Sequence, residues 1–326
     1  MSNILITSAG RRVSLVKLFK SALQSNKTSG KVIAIDMSKS APALYVADNF
    51  RIVCSVHDKN YLGAIKKICC DFDIKLIVPT IDTELVFLSQ HKEYFQEIGA
   101  KVLVSGFETN IIFSDKFKTA NFFLQNKIPC PRIYSKSDAL SLASNEFPLI
   151  IKPILGSAGN GVFKVKNKNE LIFYLENYKD IIIQEFIDGE EFTIDAYFDF
   201  KGNVRCAVPR RRLEVRSGEV SKSVTSANQM IIDYSYKVLN LIKDGLGCIT
   251  LQCFLKNDGD LCFIEINPRF GGGFPLSAAA GANFPEWIIR ELNDLALDNN
   301  LQEIWEDKLA MLRYDAEIFL DNFPEN

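Results

Sequence analysis

The sequence has no long hydrophobic run and few of the residues that build metal sites or disulfide frameworks. No stretch of about 18 apolar residues occurs, so no membrane-spanning helix is expected. There are only two His residues, and the eight Cys residues include no CxxC pair, so a zinc site is not expected. The scattered Cys residues predict reduced thiols, and the first residues lack the layout of a signal peptide, so we expect a cytoplasmic protein.

An excess of positive charge is also missing. The chain has 38 Lys and Arg residues against 40 Asp and Glu residues, which gives a net charge of −2. Extended binding to nucleic acid or to an anionic membrane needs a basic surface, so neither is expected as a partner. The 326 residues, 47% of them hydrophobic, predict instead a globular α/β protein of about two domains.

Strands and helices alternate over the first third of the chain. Apolar runs predict strands at Asn3–Thr7, Lys31–Asp36, Lys75–Pro79 and Lys101–Ser105, and helical spacing predicts helices at Val13–Leu23, Tyr61–Phe72 and Glu84–Ile98. This alternation is typical of a doubly wound parallel sheet, in which ligands bind at the carboxyl ends of the strands. Longer strands with antiparallel patterning follow from residue 181. We expect a parallel-sheet domain at 1–112, a small lobe at 113–186 and a large antiparallel lobe at 187–326.

Polar residues at the carboxyl ends of two early strands are candidates for substrate binding. Arg11 follows the first strand and could hold an anionic group. Thr80, Asp82 and Glu84 follow a later strand and could bind an amine or a hydroxyl. Helix capping by Thr80 or Asp82 is the alternative. The turn after the first strand has one glycine where a dinucleotide fingerprint has three, so NAD binding is not favoured.

Residues 251–269 predict a hairpin that carries three oxygen-bearing side chains. Asp258–Gly259 is a typical two-residue turn, which would close on the pair Asn257–Asp260. In that register Gln252 lies opposite Glu265, and strand alternation brings Asn267 to the same face. Carboxylate and amide oxygens suit Mg²⁺, with phosphate completing its shell. An exposed polar hairpin face is the alternative.

A predicted strand ends at Lys152 and enters a glycine-rich loop. Gly156, Gly159 and Gly161 leave backbone N–H groups accessible to phosphate oxygens, and Lys152 adds a positive charge. A plain hairpin connection is the alternative.

The segment Gln184-Glu185-Phe186-Ile187 runs from a strand into an Asp-Gly turn. The backbone around Glu185–Ile187 could hydrogen-bond an adenine, and Glu191 could accept hydrogen bonds from ribose hydroxyls. An exposed acidic turn is the alternative.

Two further segments supply candidate substrate contacts. Arg210 and Arg212 share one face of a strand-like stretch with Glu214, so they could bind phosphate or a carboxylate. A solvated strand face or an RNA-binding run is the alternative. Gly272 and Gly273 precede a run of small residues that would let a substrate approach the backbone, although tight helix packing explains that run equally well.

The order of these features resembles the ATP-grasp superfamily: a strand-borne lysine, a glycine-rich loop, the QEFI segment with a downstream Glu, and EINPR preceded by a Gln. The segments ILITSAGRR and VPTIDTEL resemble the short proteins related to one half of the carbamoyl phosphate synthetase large subunit. The resemblance covers residues 3–297. It implies ATP-grasp architecture, with an N-terminal doubly wound sheet and two α+β lobes that clasp ATP.

The resemblance implies a role for each matching position. The ATP contacts would be Lys116, Lys152, the lid residues Gly156, Ser157, Gly159 and Gly161, the adenine segment Gln184, Glu185, Phe186 and Ile187, and the ribose acceptor Glu191. The ligands of Mg²⁺, or of Mn²⁺ in its place, would be Gln252, Glu265 and Asn267. Arg269 would face the transferring phosphoryl group, and Lys152, Arg210 and Arg212 complete the candidate catalytic set. Many relatives have Glu where this chain has Gln252, which lowers the local negative charge.

The implied activity is an ATP-dependent ligase. It would activate a small-molecule carboxylate as an acyl phosphate and join it to an amine, with ADP and phosphate as products. Relatives of this kind often form homodimers. A non-catalytic ATP-binding sensor, or an enzyme that uses a thiol or hydroxyl nucleophile, is the alternative.

Overall fold

Three β-sheets organise the chain in the computed structural model, which describes residues 1–156, 161–216, 218–321 and 323. The α/β class predicted from the sequence is confirmed. Within these residues, none of the helices combines the length and the apolar character that a membrane crossing requires.

The first sheet is parallel and has helices on both faces. Its elements are β1 (Asn3–Ile6), α1 (Val13–Ser25), β2 (Val32–Asp36), β3 (Asn49–Ile52), α2 (Tyr61–Asp71), β4 (Ile74–Val78), α3 (Asp82–Gln90), α4 (Lys92–Glu97), β5 (Lys101–Val102) and α5 (Phe107–Phe113). The strand order is β3-β2-β1-β4-β5. Ile4 packs on the α1 side and Leu5 on the α2 side, so the predicted doubly wound arrangement is confirmed. Strand β3 was not predicted, because it is a short edge strand with three exposed residues.

The second sheet is small and antiparallel. Its region contains α6 (Lys116–Gln125), β6 (Ile133–Tyr134), α7 (Lys136–Ser141), β7 (Leu149–Pro153), β8 (Phe163–Val165), α8 (Lys168–Asn177) and β9 (Ile181–Glu185). The strand order is β6-β9-β7-β8. Leu149, Ile151, Val165 and Leu171 belong to a core of its own, whereas Phe123 of α6 packs in the core of the third sheet.

The third sheet is long and antiparallel. Its region contains β10 (Gly189–Phe198), β11 (Val204–Arg216), β12 (Glu219–Thr225), α9 (Gln229–Leu239), β13 (Gly247–Lys256), β14 (Leu261–Asn267), α10 (Phe274–Ala279), α11 (Phe284–Leu292) and β15 (Ala310–Leu312). The strand order is β14-β13-β10-β11-β12-β15. One face shares a continuous core with the first sheet, where the rings of Phe19 and Phe270 meet edge to face with centroids 6.0 Å apart. The first and third sheets are therefore joined by apolar packing.

The β13–β14 hairpin reaches the predicted register by a different route. The predicted two-residue turn is wrong: the Lys256 N–H donates to the Asp260 carbonyl (2.9 Å), which makes a three-residue loop with Gly259 at φ +89°. This loop shifts the pairing by one residue. A bulge at Ile264 restores it, so that Gln252 does pair with Glu265.

Glu84 is a structural residue of the first sheet and does not reach a surface cleft. It is 0% exposed, because α3 begins at Asp82 and the helix turns a residue two positions later to the opposite side. Its carboxylate accepts hydrogen bonds from the hydroxyls of Thr7 (2.6 Å), Tyr61 (2.6 Å) and Ser8. Burial raises the pKa of Glu84, although these three donors oppose the shift. The prediction that Glu84 contacts substrate is therefore not supported by its position.

Replacing Glu84 by Ala should lower the free energy of unfolding by about 3 kcal/mol or more, because it leaves buried hydroxyls without their acceptor. Urea denaturation followed by tryptophan fluorescence measures the loss. The control is Glu97→Ala at an exposed position on α4, which should change stability by less than about 0.5 kcal/mol. Equal effects of the two substitutions would contradict a structural role for Glu84.

Candidate active site

A cavity of about 560 Å³ lies where the three sheets meet. The predicted site residues that line it are Thr80, Asp82, Lys116, Lys152, Gly156, Gln184, Glu185, Phe186, Ile187, Glu191, Arg210, Arg212, Gln252, Glu265, Arg269, Gly272 and Gly273. Ser157 and Gly159 lie outside the described residues. The structure thus brings together candidates that are up to 193 residues apart in the chain, from Thr80 to Gly273.

Two lysines from different elements face one carboxylate in the cavity. Lys152 lies next to the last residue of β7 and is 8% exposed. Lys116 is the first residue of α6, and its Nζ donates a hydrogen bond to the Gly156 carbonyl (2.6 Å). Burial lowers the pKa of each lysine, and the Glu265 carboxylate opposes both shifts. The arrangement provides positive charge in a poorly solvated place, which suits the binding of phosphate.

The donor atoms around Glu265 fit a hard cation. Glu265 has no ion pair within the described ranges, so its carboxylate is available as a ligand. Gln252 lies opposite it, although its Oε1 accepts a hydrogen bond from Arg212 Nη1 (3.2 Å). Asn267 is 4% exposed and does not line the cavity, and its Nδ2 lacks a partner among the described residues. A carboxylate with amide oxygens nearby is the ligand chemistry that Mg²⁺ prefers.

The predicted adenine segment forms the end of β9 and the residues after it. The Glu185 N–H already donates to the Arg132 carbonyl (2.9 Å), so it is not available to a base. Phe186 stacks under Lys164, whose Nζ is 3.6 Å from the ring centroid. Apolar side chains also line the cavity, namely Ile150, Val162, Phe254 and Ile264. The segment therefore combines backbone groups with an apolar surface that can accept a flat ring.

Glu191 and Arg212 form an ion pair on the cavity wall. Their side chains approach to 2.7 Å across β10 and β11. Burial raises the pKa of Glu191, and the Arg212 guanidinium opposes that shift.

The predicted alternation of side chains along β11 places Arg210 and Arg212 on the cavity face, but it does not extend to Glu214. Bulges on either side of Glu214 break it, and Glu214 pairs with Lys222 (2.6 Å) outside the cavity.

Two more arginines are held by carboxylates at the other part of the cavity. Arg269 Nη2 is 3.0 Å from Asp82, which joins the end of β14 to the start of α3. Burial lowers the pKa of Arg269, but the Asp82 carboxylate together with Glu265 more than opposes it, so the net shift is upward. Arg210 is 1% exposed and binds Asp195 through Nε (2.7 Å) and Nη2 (3.0 Å), and Ser277 also donates to Asp195 (2.6 Å).

Besides Glu84 and Asn267, the structure places two further predicted residues, Arg11 and Gly161, outside the cavity lining. Arg11 is exposed, whereas its neighbour Arg12 lines the cavity, because consecutive residues of the turn before α1 point in different directions. Gly161 packs against Pro153, and a Cβ at position 161 would lie 2.9 Å from the Pro153 Cγ. This contact and the backbone φ of +73° explain on structural grounds why glycine occupies the position. The assignment of an anion contact to Arg11 therefore moves to Arg12.

Two family models match the chain and together cover most of it. The model of a PylC-like N-terminal domain matches residues 4–103, and the model of an ATP-grasp domain matches residues 113–273. The chain contains an ATP-grasp domain, preceded by a PylC-like N-terminal domain. The ATP-grasp match ends at Gly273, the last of three consecutive glycines that line the cavity. All the predicted nucleotide and metal contacts therefore lie within the matched residues.

Similar proteins support this ATP-grasp assignment. The chain is 28% identical over 272 residues to a formate-dependent phosphoribosylglycinamide formyltransferase of Prochlorococcus marinus, covering 76% of the chain and 66% of that protein. It is 26% identical over 235 residues to a carbamoyl-phosphate synthase of Methanobrevibacter smithii, covering 67% and 64%. The chain thus spans just under two thirds of the length of each relative.

The fold is also found in solved structures. The biotin carboxylase domain dimer of the 2-oxoglutarate carboxylase of Hydrogenobacter thermophilus, in complex with MgADP, ADP and bicarbonate, superimposes with a TM-score of 0.74. The sequences are 17% identical, and the match covers 94% of this chain and 73% of that one. At this identity the likeness confirms the ATP-grasp fold of the chain.

Sequence reasoning missed four charged residues of this ATP-grasp site. Arg12 and Glu219 line the cavity, Asp195 holds Arg210 from behind, and Arg313 binds Glu219 (3.1 Å). The position of Asp195 opposite the arginine strand was the available signal, since β10 and β11 are neighbours in the chain. Arg313 had no such signal, because it follows a short edge strand.

Asp195→Ala should lower the free energy of unfolding by about 3–5 kcal/mol, because it leaves the buried Arg210 guanidinium without its counter-charge. The double variant Asp195→Ala with Arg210→Met should recover most of that loss. Urea denaturation of the wild type, both single variants and the double variant measures the coupling. A double variant no more stable than Asp195→Ala would show that the pair is not the source of the loss.

ATP affinity should fall as pH rises, starting below the ordinary lysine pKa of 10.5, because burial lowers the pKa of Lys152 and deprotonation removes its charge. Lys152→Arg should show a smaller fall, since a guanidinium stays charged over the tested range of about pH 7 to pH 10. Calorimetric titration with ATP measures both profiles. Identical profiles would exclude Lys152 as the titrating phosphate contact.

Proposed function

We propose that the chain is an ATP-dependent ligase that joins a small-molecule carboxylate to an amine, with ADP and phosphate as products. One observation carries this proposal. The Glu265 carboxylate, which has no ion pair within the described residues, faces Lys116 and Lys152 in the same cavity in which Asp82 holds Arg269. One cavity thus combines a carboxylate for a metal ion, lysines for phosphate and a paired arginine for an anionic substrate, as a charged nucleotide and an anionic substrate require.

The nucleotide would occupy the part of the cavity between the small sheet and the hairpin. Lys116 and Lys152 bind its phosphates, and the segment Glu185–Ile187 holds the base. Glu191 accepts from the ribose once Arg212 has shifted from it. Glu265 and Gln252 would hold Mg²⁺, which would neutralise part of the phosphate charge when bound. Asn267 is the third ligand of the proposal, although it does not line the cavity in this structure. Mn²⁺ in place of Mg²⁺ is part of the same proposal.

The chemistry follows from this distribution of charge. A carboxylate oxygen of the substrate attacks the γ-phosphorus, the bond to the β-phosphate oxygen breaks, and ADP leaves. The lysines stabilise the transferring phosphoryl group electrostatically. The amine nitrogen then attacks the acyl carbon, phosphate leaves, and the nitrogen releases a proton. Arg269 and Arg210 donate hydrogen bonds to the oxyanion, since each keeps a guanidinium N–H without a partner in the described residues.

The similar proteins bear on the reaction class and not on the substrate. They are a formate-dependent phosphoribosylglycinamide formyltransferase and a carbamoyl-phosphate synthase. Because the chain spans 66% and 64% of their lengths, neither substrate is carried over. The division at 1–112, 113–186 and 187–326, a homodimer and a cytoplasmic location are further proposals from the sequence.

The proposal is tested by measuring ADP release from ATP and Mg²⁺ in mixtures of candidate substrates, with the carboxylates and the amines varied separately. A ligase should release ADP only when a suitable carboxylate and a suitable amine are both present. Glu265→Gln should lower this rate by about 100-fold or more, because it removes the negative charge that binds the metal. Asp260→Asn on the exposed hairpin tip is the matched control and should leave the rate unchanged.

Two outcomes would favour another function. ATP binding without ADP release in any mixture of carboxylates and amines would indicate a non-catalytic ATP sensor. ADP release that needs a carboxylate but is unaffected by amines, and is raised by thiols or alcohols, would indicate a different nucleophile. Full activity of Glu265→Gln would remove Glu265 from the site.

A further inference from the structure

Positive and negative side chains are not equal in number in the part of the cavity that contains Arg269 and Arg210, which we call the arginine end. Three guanidinium groups there have a carboxylate partner: Arg269 with Asp82 at 3.0 Å, Arg210 with Asp195 at 2.7 Å and Arg313 with Glu219 at 3.1 Å. The fourth, Arg12, has no ion pair or side-chain hydrogen bond to any residue that the structure describes. One positive charge is therefore left over in the cavity wall.

Arg12 is held in this position at an electrostatic cost. It lines the cavity between Arg269 and Arg313. Burial lowers the pKa of Arg12, and the two neighbouring guanidinium groups lower it further, while Glu219 and Asp82 oppose the shift. An anion bound against Arg12 would relieve this repulsion.

Gly272 lets the Arg12 side chain lie close against the backbone. A Cβ on Gly272 would lie 3.0 Å from Arg12 Nη1 and 3.4 Å from Glu219 Oε1, so any side chain here would press on Arg12 and displace it. Arg313 donates to the Gly272 carbonyl through Nη2 (2.5 Å) and thereby fixes the glycine backbone. The position of Arg12 in the cavity wall thus depends on a residue without a side chain.

We propose that Arg12 and Gly272 form a subsite for a carboxylate that does not react, carried by one of the two substrates. A single surplus positive charge matches a carboxylate better than a phosphate, which carries more negative charge. The reacting carboxylate is assigned to Arg269 and Arg210, which neighbour Arg12 and each keep an unpartnered N–H group among the described residues. The substrate class is therefore a dicarboxylic acid or an amino acid. This inference rests on the proposed function for the identity of the reacting group.

Binding of matched compounds that differ by one carboxylate tests the subsite. The probes are succinate against butyrate, glutarate against valerate, alanine against ethylamine, and lysine against cadaverine. Calorimetric titration in the presence of ADP and Mg²⁺ keeps the readout independent of turnover. In the wild type, at least one carboxylate-bearing probe should bind about tenfold more tightly than its counterpart.

Arg12→Met keeps the length of the side chain and removes its charge, so it should abolish this preference while ADP affinity is retained. Arg11→Met is the matched control, because Arg11 is exposed and outside the cavity. Gly272→Ala retains the charge but displaces the Arg12 side chain, and should weaken binding of the same probes. It also keeps the test valid if Arg12→Met does not fold.

The inference is overturned if Arg12→Met or Gly272→Ala keeps the tenfold preference, or if no probe binds the wild type more tightly than its counterpart. A preference that depends on Arg12, combined with no ADP release for any probe pair, would support the subsite and count against the proposed ligase. The two proposals therefore fail separately.

Discussion

The ion pair between Arg269 and Asp82 connects the two halves of the site. It joins the end of β14 to the first residue of α3, and so links the hairpin that carries Gln252 and Glu265 to the first sheet. Removing either charge would leave the other in a poorly solvated cavity, where an unpaired ion costs several kcal/mol. The position of Arg269 in the cavity wall therefore depends on a residue 187 positions earlier in the chain.

Arg210 repeats this arrangement inside the third sheet. Asp195, which also accepts from Ser277, holds it through Nε and Nη2 and leaves Nη1 beside Gly273 without a partner among the described residues. A guanidinium held in this way does not need to be reoriented when charge develops on a substrate, which is the basis of electrostatic preorganisation. The three paired arginines thus contribute directed donors with little net charge, and the surplus charge is concentrated on Arg12.

Short-range patterns predicted the strands and much of the cavity lining, because alternation and turn chemistry act over a few residues. They located Gln252 opposite Glu265 even though the predicted turn was wrong, since the bulge at Ile264 compensates for the longer loop. They could not choose between Arg11 and Arg12, because alternation does not apply within a turn. Glu84 was misjudged for a related reason, as the helix start that turns it inwards was not predicted at Asp82.

The separation of the hydrophobic cores has a consequence for motion. The first and third sheets share one core through Phe19 and Phe270, so neither can rotate without exposing apolar surface. The small sheet has a core of its own around Leu149 and Ile183. If the cavity closes over a ligand, we expect the small sheet to rotate against the larger body that the first and third sheets form. Lys152, at the end of β7, would travel with the small sheet, while Glu265 would remain in place.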